Sequence, residues 1–128
     1  MRLLLDSHVL LWWLLDEEAV SPTARLAIAN DDNETFVSAA SAWEISIKYR
    51  LGKLPTATHL MADLENVVVG EGFSGMPITL RHGKLAGSLP LLHKDPFDRM
   101  LIAQAQAESL TLISNERLFD RYGVSRLW

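Results

Sequence analysis

The stretch Arg2-Leu3-Leu4-Leu5-Asp6-Ser7-His8-Val9-Leu10-Leu11-Trp12-Trp13-Leu14-Leu15 decides the fold. Its opening apolar run stops at Asp6-Ser7, which suits a buried strand feeding directly into a helix whose N-cap is Asp6 or Ser7. The helix that follows is apolar on every side, so it must be sandwiched within its own chain or partly covered by another. A strand that hands over to a helix without a hairpin is the first step of an alternating α/β chain.

Outward from there the alternation continues. Ser21-Pro22 reads as N-cap and first residue of a helix to about Asn30. Thr35 to Ser38 is strand-like, and Ala39 to Leu51 is helical, ending at Gly52. Leu60, Leu64, Val67 and Val68 keep helical spacing up to Gly70. Met76 to Thr79 reads as a strand, with Thr79 capping a short helix through Leu85, and Leu89 to Lys94 as loop. Asp95-Pro96 opens a helix to about Ser109, followed by a strand at Leu110–Ile113, a helical turn near Arg117–Tyr122 and a last strand at Val124–Leu127. The pattern predicts a three-layer α/β/α sandwich around a mainly parallel sheet, with residues 1–128 as a single domain. Ligands of such sheets bind outside the carboxyl ends of the strands.

Composition narrows the function. The 128 residues are 48% hydrophobic and 22% charged and include no cysteine, which excludes a disulfide scaffold, a cysteine zinc site and a thiol enzyme. The net charge of −4 argues against a protein that coats nucleic acid without regard to sequence. That charge is uneven: residues 1–34 carry −5 and the rest +1, which leaves the later segments free to build a local basic surface. The longest apolar run, Val9 to Leu15, is far short of the ~18 residues of a spanning helix. Asp6 and His8 also spoil a signal-peptide reading, so the expected setting is the cytoplasm, with no membrane partner.

Four acids stand at positions with chemical meaning. Asp6 directly follows the first strand and so lies at the carboxyl edge of the sheet, although capping alone would also explain it. Glu44 falls at the border of the face made by Ala40, Trp43, Ile47 and Leu51; its ordinary role would be an i,i+4 ion pair with Lys48. Asp98 is sharper. Leu101, Ile102 and Ala105 follow at i+3, i+4 and i+7, so its carboxylate points from the middle of an apolar face and needs a cationic partner. Asp95 already suffices as N-cap there, and the ordinary explanation of Asp98 is an N3 acid favoured by the helix dipole. Glu116 follows the strand ending at Ile113, with a first-turn position as its ordinary explanation. Carboxylates from separate segments converging on one sheet edge, with no cysteine and no histidine pair at ligand spacing, point to Mg2+ or Mn2+ and hence to phosphoryl chemistry.

These segments resemble the PIN-domain family, and within it the VapC-type toxins of type II toxin–antitoxin pairs. The resemblance rests on Leu3-Leu-Leu-Asp6-Ser7-His8-Val9, Ser38-Ala-Ala-Ser41-Ala-Trp43-Glu44-Ile45, His93-Lys-Asp95-Pro-Phe-Asp98-Arg99-Met-Leu-Ile-Ala-Gln-Ala and Leu112-Ile-Ser114-Asn115-Glu116. It implies a metal-dependent endoribonuclease in which Asp6, Glu44 and Asp98 hold Mg2+ or Mn2+. The family's fourth acid is usually an aspartate in a Thr-x-Asp pattern. Ser114-Asn115-Glu116 occupies that place, and Glu116 reaches one methylene further. The resemblance also implies an RNA substrate, a homodimer and a cognate antitoxin, for which the first helix and Ile45 are candidate contact surfaces or else ordinary core. Ser7 and Asn115 are candidates to orient the acids. Lys48, Arg81, Lys84, Lys94 and Arg99 are candidates to hold the RNA backbone, or else form a solvated face.

Other patterns fit less well. Gly70-Glu-Gly72-Phe-Ser-Gly75 matches G-x-G-x-x-G, but a dinucleotide site needs a strand before it and a helix after it, and neither is expected here. A haloacid-dehalogenase-like phosphatase would need an aspartate where His8 stands, and a receiver-like domain would need paired early acids. His8, His59, His82 and His93 are scattered, with solvent-facing or helix-end roles expected for each. The alternative from another class is a PIN-like interaction module that binds RNA or a regulatory protein without cutting.

Overall fold

Strand β1 (Arg2–Leu5) occupies the middle of a five-stranded, wholly parallel sheet. The computed structural model describes all of residues 1–128. The strands β2 (Glu34–Ser38), β3 (Ser74–Met76), β4 (Thr111–Ile113) and β5 (Arg126–Leu127) complete the order β3-β2-β1-β4-β5. Chain order therefore runs outward from β1 in one direction through β2 and β3, then resumes on the other side with β4. The switch lies between β1 and β4, where Leu5 pairs with Ile113. Connections on opposite faces diverge at such a point and leave a crevice at the strands' carboxyl ends.

The leucines of β1 alternate between two cores, as the pleat requires. Leu3 and Leu5 join the layer built from α1 (Ser7–Leu15), α2 (Pro22–Ala29), α3 (Ala39–Arg50), α4 (Thr58–Ala62) and α5 (Leu64–Gly70). Leu4 joins the other layer, where α7 (Pro96–Glu108) contributes Leu101, Ile102 and Ala105 and the 3-10 segment Arg117–Tyr122 contributes Phe119. Helix α6 (Leu80–Ser88) packs on α7 in this second layer. The expected sandwich of helices on both faces of a parallel sheet is what forms.

Four local expectations change. The third strand pairs over Ser74–Met76, where Phe36, Val37 and Ser38 offer partners, and ends before Pro77, which has no N–H to donate. Gly75 thus lies in a strand and Gly72 in a turn at φ +81, with helix before and strand after, the reverse of a dinucleotide fingerprint. The helix expected to run up to Gly70 breaks at Asp63, whose φ −147 and ψ 40 lie outside the helical region. The first helix is covered by its own chain: Trp12 meets Trp128, and Trp13 meets Phe73 and donates to Glu71 Oε2 at 3.1 Å.

The fourth change concerns α3, which is turned over relative to its apolar spacing. Ala40, Ser41, Glu44 and Ile45 are buried, while Trp43 is 64% and Leu51 63% exposed. Short side chains explain this. Ser41 receives a 2.8 Å hydrogen bond from Ser7 at the start of α1, so the two helices meet across small residues rather than across an indole. Ile45, expected as a possible partner contact, is fully buried core.

Candidate active site

Asp6 stands at the switch point itself. Its N–H donates to the carbonyl of Ile113 at 3.1 Å, continuing the β1–β4 ladder by one residue. The same residue caps α1, Oδ1 accepting from the His8 N–H at 3.1 Å. Strand end and helix cap are thus one position. Oδ2 accepts a 2.6 Å hydrogen bond from the Ser114 hydroxyl, and Ser114 Oγ in turn accepts from the Glu116 N–H at 3.0 Å. Burial pushes the Asp6 carboxyl up, but the hydrogen bonds from His8 and Ser114 outweigh it and hold the group below its usual value. His8 Nδ1 lies 3.6 Å from Oδ1, and its hydrogen bond to Asp6 raises the imidazole above its ordinary range.

Asp98 arrives from the opposite layer. Asp95 caps α7 through bonds from the N–H groups of Phe97 (2.8 Å) and Asp98 (3.2 Å), with Pro96 as first helical residue, so the Asp98 side chain is free for other work. Its Oδ2 lies 2.7 Å from His93 Nε2. Burial, then the charges of Asp6 and Asp95, push its carboxyl up to about 6 despite that contact. Two carboxylates from opposite ends of the sequence therefore repel each other across the crevice.

Glu44 is 6% exposed and forms the i,i+4 pair with Lys48, Nζ to Oε2 3.0 Å. Its charge reaches His8, and so it borders the same crevice. Glu116 does not join them. It is exposed, and Oε1 caps the 3-10 segment by accepting from the Leu118 N–H at 3.1 Å. No three acidic or histidine side chains converge closely enough to form a ready-made ion cage. A concavity of about 390 Å³ between α3, α5 and the ends of β2 and β3 is apolar and is lined by none of these four acids.

The supporting groups differ from expectation. Asn115 is exposed, and the hydroxyl that orients Asp6 belongs to its neighbour Ser114, which is buried because β4 brings it beside β1. Ser7 acts on Ser41, so it positions the helix of Glu44 rather than an acid directly. Arg99 does not face RNA. It is buried, and its guanidinium donates to the carbonyls of Ala86, Leu89, Pro90 and His93 at 2.8–3.1 Å. Arg81, Lys84 and Lys94 are exposed. His82 is a buried helix-end residue, the N3 partner of Thr79 in a capping box. His93, expected to face solvent or end a helix, instead holds Asp98.

A family-wide profile described as PIN domain matches residues 3–124, a span that includes all four acids. The chain belongs to the PIN domain family. Over 41 residues this PIN domain is 54% identical to Ribonuclease VapC16 of Mycobacterium tuberculosis (strain ATCC 25618 / H37Rv), a match covering 32% of the chain and 28% of that relative's length. Among solved structures it is similar to VapBC2 from Rickettsia felis bound to a promoter DNA fragment (TM-score 0.72, 16% identity, 99% of this chain and 98% of that one). It is also similar to FitAcB from Neisseria gonorrhoeae (TM-score 0.67, 17% identity, 98% and 96%). At these identities the likeness is one of fold.

The donor chemistry of this PIN domain suits a hard divalent cation. Asp6, Glu44 and Asp98 offer only oxygen, as Mg2+ and Mn2+ prefer. Burial first, then the charges of Asp6 and Asp95, raise the Asp98 carboxyl, a setting that a bound cation would relieve. Of the supporting groups, only Ser114 had a signal in the sequence: it follows Ile113 as Asp6 follows Leu5, on strands that prove to be neighbours. His93 had none, since its contact depends on a loop that folds back.

Proposed function

We propose that this PIN domain is a Mg2+- or Mn2+-dependent endoribonuclease that serves as the toxin of a toxin–antitoxin pair. The observation that carries the reading is the pairing of Asp6 and Asp98 at the switch point, where the charge of one helps hold the other up to about 6. Family membership and the partial match to a ribonuclease support it. The fold it shares with VapBC2 and FitAcB supports an antitoxin partner, and a homodimer belongs to the same reading.

The chain's residues divide the work. Asp6, kept ionised by Ser114 and His8, is the permanent anion of the site. Asp98, held up by burial and by the charge of Asp6, would be the second ligand, and Glu44 would supply the third carboxylate. A bound Mg2+ or Mn2+ contributes Lewis acidity at the scissile phosphate and neutralises charge that builds up as a P–O bond breaks. Lys48, 3.0 Å from Glu44, would meet a phosphate oxygen of the substrate. Hydrolysis adds water across one phosphodiester bond, the departing ester oxygen taking up a proton.

The test is Mn2+ titration by calorimetry and cleavage of a single-stranded RNA, wild type against Asp6→Ala. Binding and cleavage in the wild type, both lost in the variant and in excess chelator, are expected. An interaction module with no catalysis gives neither heat nor cleavage in either protein, and that result overturns the reading.

A further inference from the structure

Residues 89–95 connect α6 to α7 as a surface loop, and such loops normally leave their backbone to water. This one is gripped from two elements. Arg99 on α7 spans it, Nη2 donating to the carbonyls of Ala86 and Leu89 at 2.8 Å each, Nη1 to those of Pro90 at 2.9 Å and His93 at 3.1 Å. The Tyr122 hydroxyl, at the end of the 3-10 segment, donates to the Pro90 carbonyl and accepts from the His93 N–H, both at 2.8 Å. His93 is therefore fixed through its carbonyl and its N–H, while its ring lies 6.1 Å from that of Phe119.

What the bracing delivers is one imidazole in one orientation. The Asp95 N–H faces Nδ1 at 3.4 Å and Nε2 lies 2.7 Å from Asp98 Oδ2, so each ring nitrogen has its own partner. That hydrogen bond commits Oδ2, sets the rotation of the carboxylate and leaves Oδ1 for a ligand. We propose that His93 is a positioning residue that aims the Asp98 carboxylate at the divalent ion, with Arg99 and Tyr122 holding the loop that presents it. The proposal rests on Asp98 being an ion ligand. Groups that orient a ligating side chain in this way typically change metal affinity or activity by about 10–100-fold when removed.

The experiment compares full-length wild type with His93→Phe, which keeps a ring against Phe119 but has no donor. His93→Gln, whose amide N–H can still reach Oδ2, and His93→Ala complete the set. Mn2+ affinity is measured by calorimetry at one fixed pH, melting temperature in chelator, and RNA cleavage at saturating Mn2+. His93→Phe should bind Mn2+ about 10–100-fold more weakly while melting close to wild type, with affinity largely restored in His93→Gln. A purely structural role would lower melting and leave the affinity of the folded protein unchanged. Wild-type affinity in folded His93→Phe overturns the proposal, and if that variant does not fold, wild-type affinity in His93→Ala does so. Should Asp98→Ala bind Mn2+ as tightly as wild type, the reading of Asp98 as ligand fails first, and the proposal with it.

Discussion

The hydroxyl of Ser114 lies 2.6 Å from Oδ2 of Asp6, although 108 residues separate them. The contact exists because β1 and β4 are parallel neighbours that end level with each other, so the residue just past each strand meets the residue just past the other. It is also the join between two halves of the site, since Ser114 Oγ is anchored in turn by the Glu116 N–H.

Ser114→Ala should weaken RNA cleavage by about 10–100-fold, because Asp6 loses its shortest orienting bond while keeping its charge. Ser114→Thr, which retains the hydroxyl, should stay within a few-fold of wild type. Cleavage rates at saturating Mg2+, with far-ultraviolet circular dichroism to confirm folding, decide this; an alanine variant as active as wild type would remove Ser114 from the machinery.

Asp98→Asn should abolish cleavage and yet stabilise the ion-free protein. A carboxamide still accepts from His93 but no longer repels Asp6. Partial exposure screens the effect, leaving a gain on the order of 1 kcal/mol at neutral pH, or about 4 °C in Tm. Melting in chelator checks it. Adding Mn2+ should reverse the order, raising the wild type and not the variant.

The ion-free protein should have a pH optimum on the acid side of neutrality. Asp98 is raised, so its contribution is complete below the usual carboxylate value of 3.8 and is lost as pH rises through about 6. His8 is also raised; its pairing with Asp6 stabilises below its ordinary value of 6.5 and fades as pH rises above it. Asp6 is lowered, so its hydrogen bonds stabilise above 3.8 and fail as pH falls further. Thermal melts from pH 3 to 9 in chelator should therefore peak at about pH 4–6. A flat profile above pH 5 would contradict both raised groups.

Arg99→Lys should be destabilising despite keeping the charge. One ammonium cannot serve four carbonyls, and those left buried without a donor cost about 1–3 kcal/mol each at most. A loss of roughly 2–4 kcal/mol in urea unfolding is expected, with the loop of His93 the first region to gain hydrogen exchange. Unchanged stability would show that solvent satisfies these carbonyls.

The acids were legible because each obeys a short-range rule. Asp6 ends an apolar run, and Asp98 interrupts an apolar stripe one turn after a sufficient cap. The place of Glu44 is less legible, since the apolar face whose border it occupies in the sequence turns outward in the structure. Apolar spacing weighs Trp43 and Leu51 above Ala40 and Ser41, whereas the close approach of α1 and α3 selects the small residues. Glu116 shows the opposite case, a strand-end acid drawn into capping the next turn.

The order of strands and helices, the caps at Asp6 and Asp95, and the acids at strand ends can be read locally, because periodicity and capping act within a turn or two of the chain. Only the tertiary structure decided which groups those acids meet. Ser114 reaches Asp6 through the adjacency of β1 and β4, and His93 reaches Asp98 through a loop folded back by Arg99 and Tyr122. Those partners depend on strand order and long-range packing: Ser114 is marked in the sequence only by its place after a strand, and His93 by nothing local.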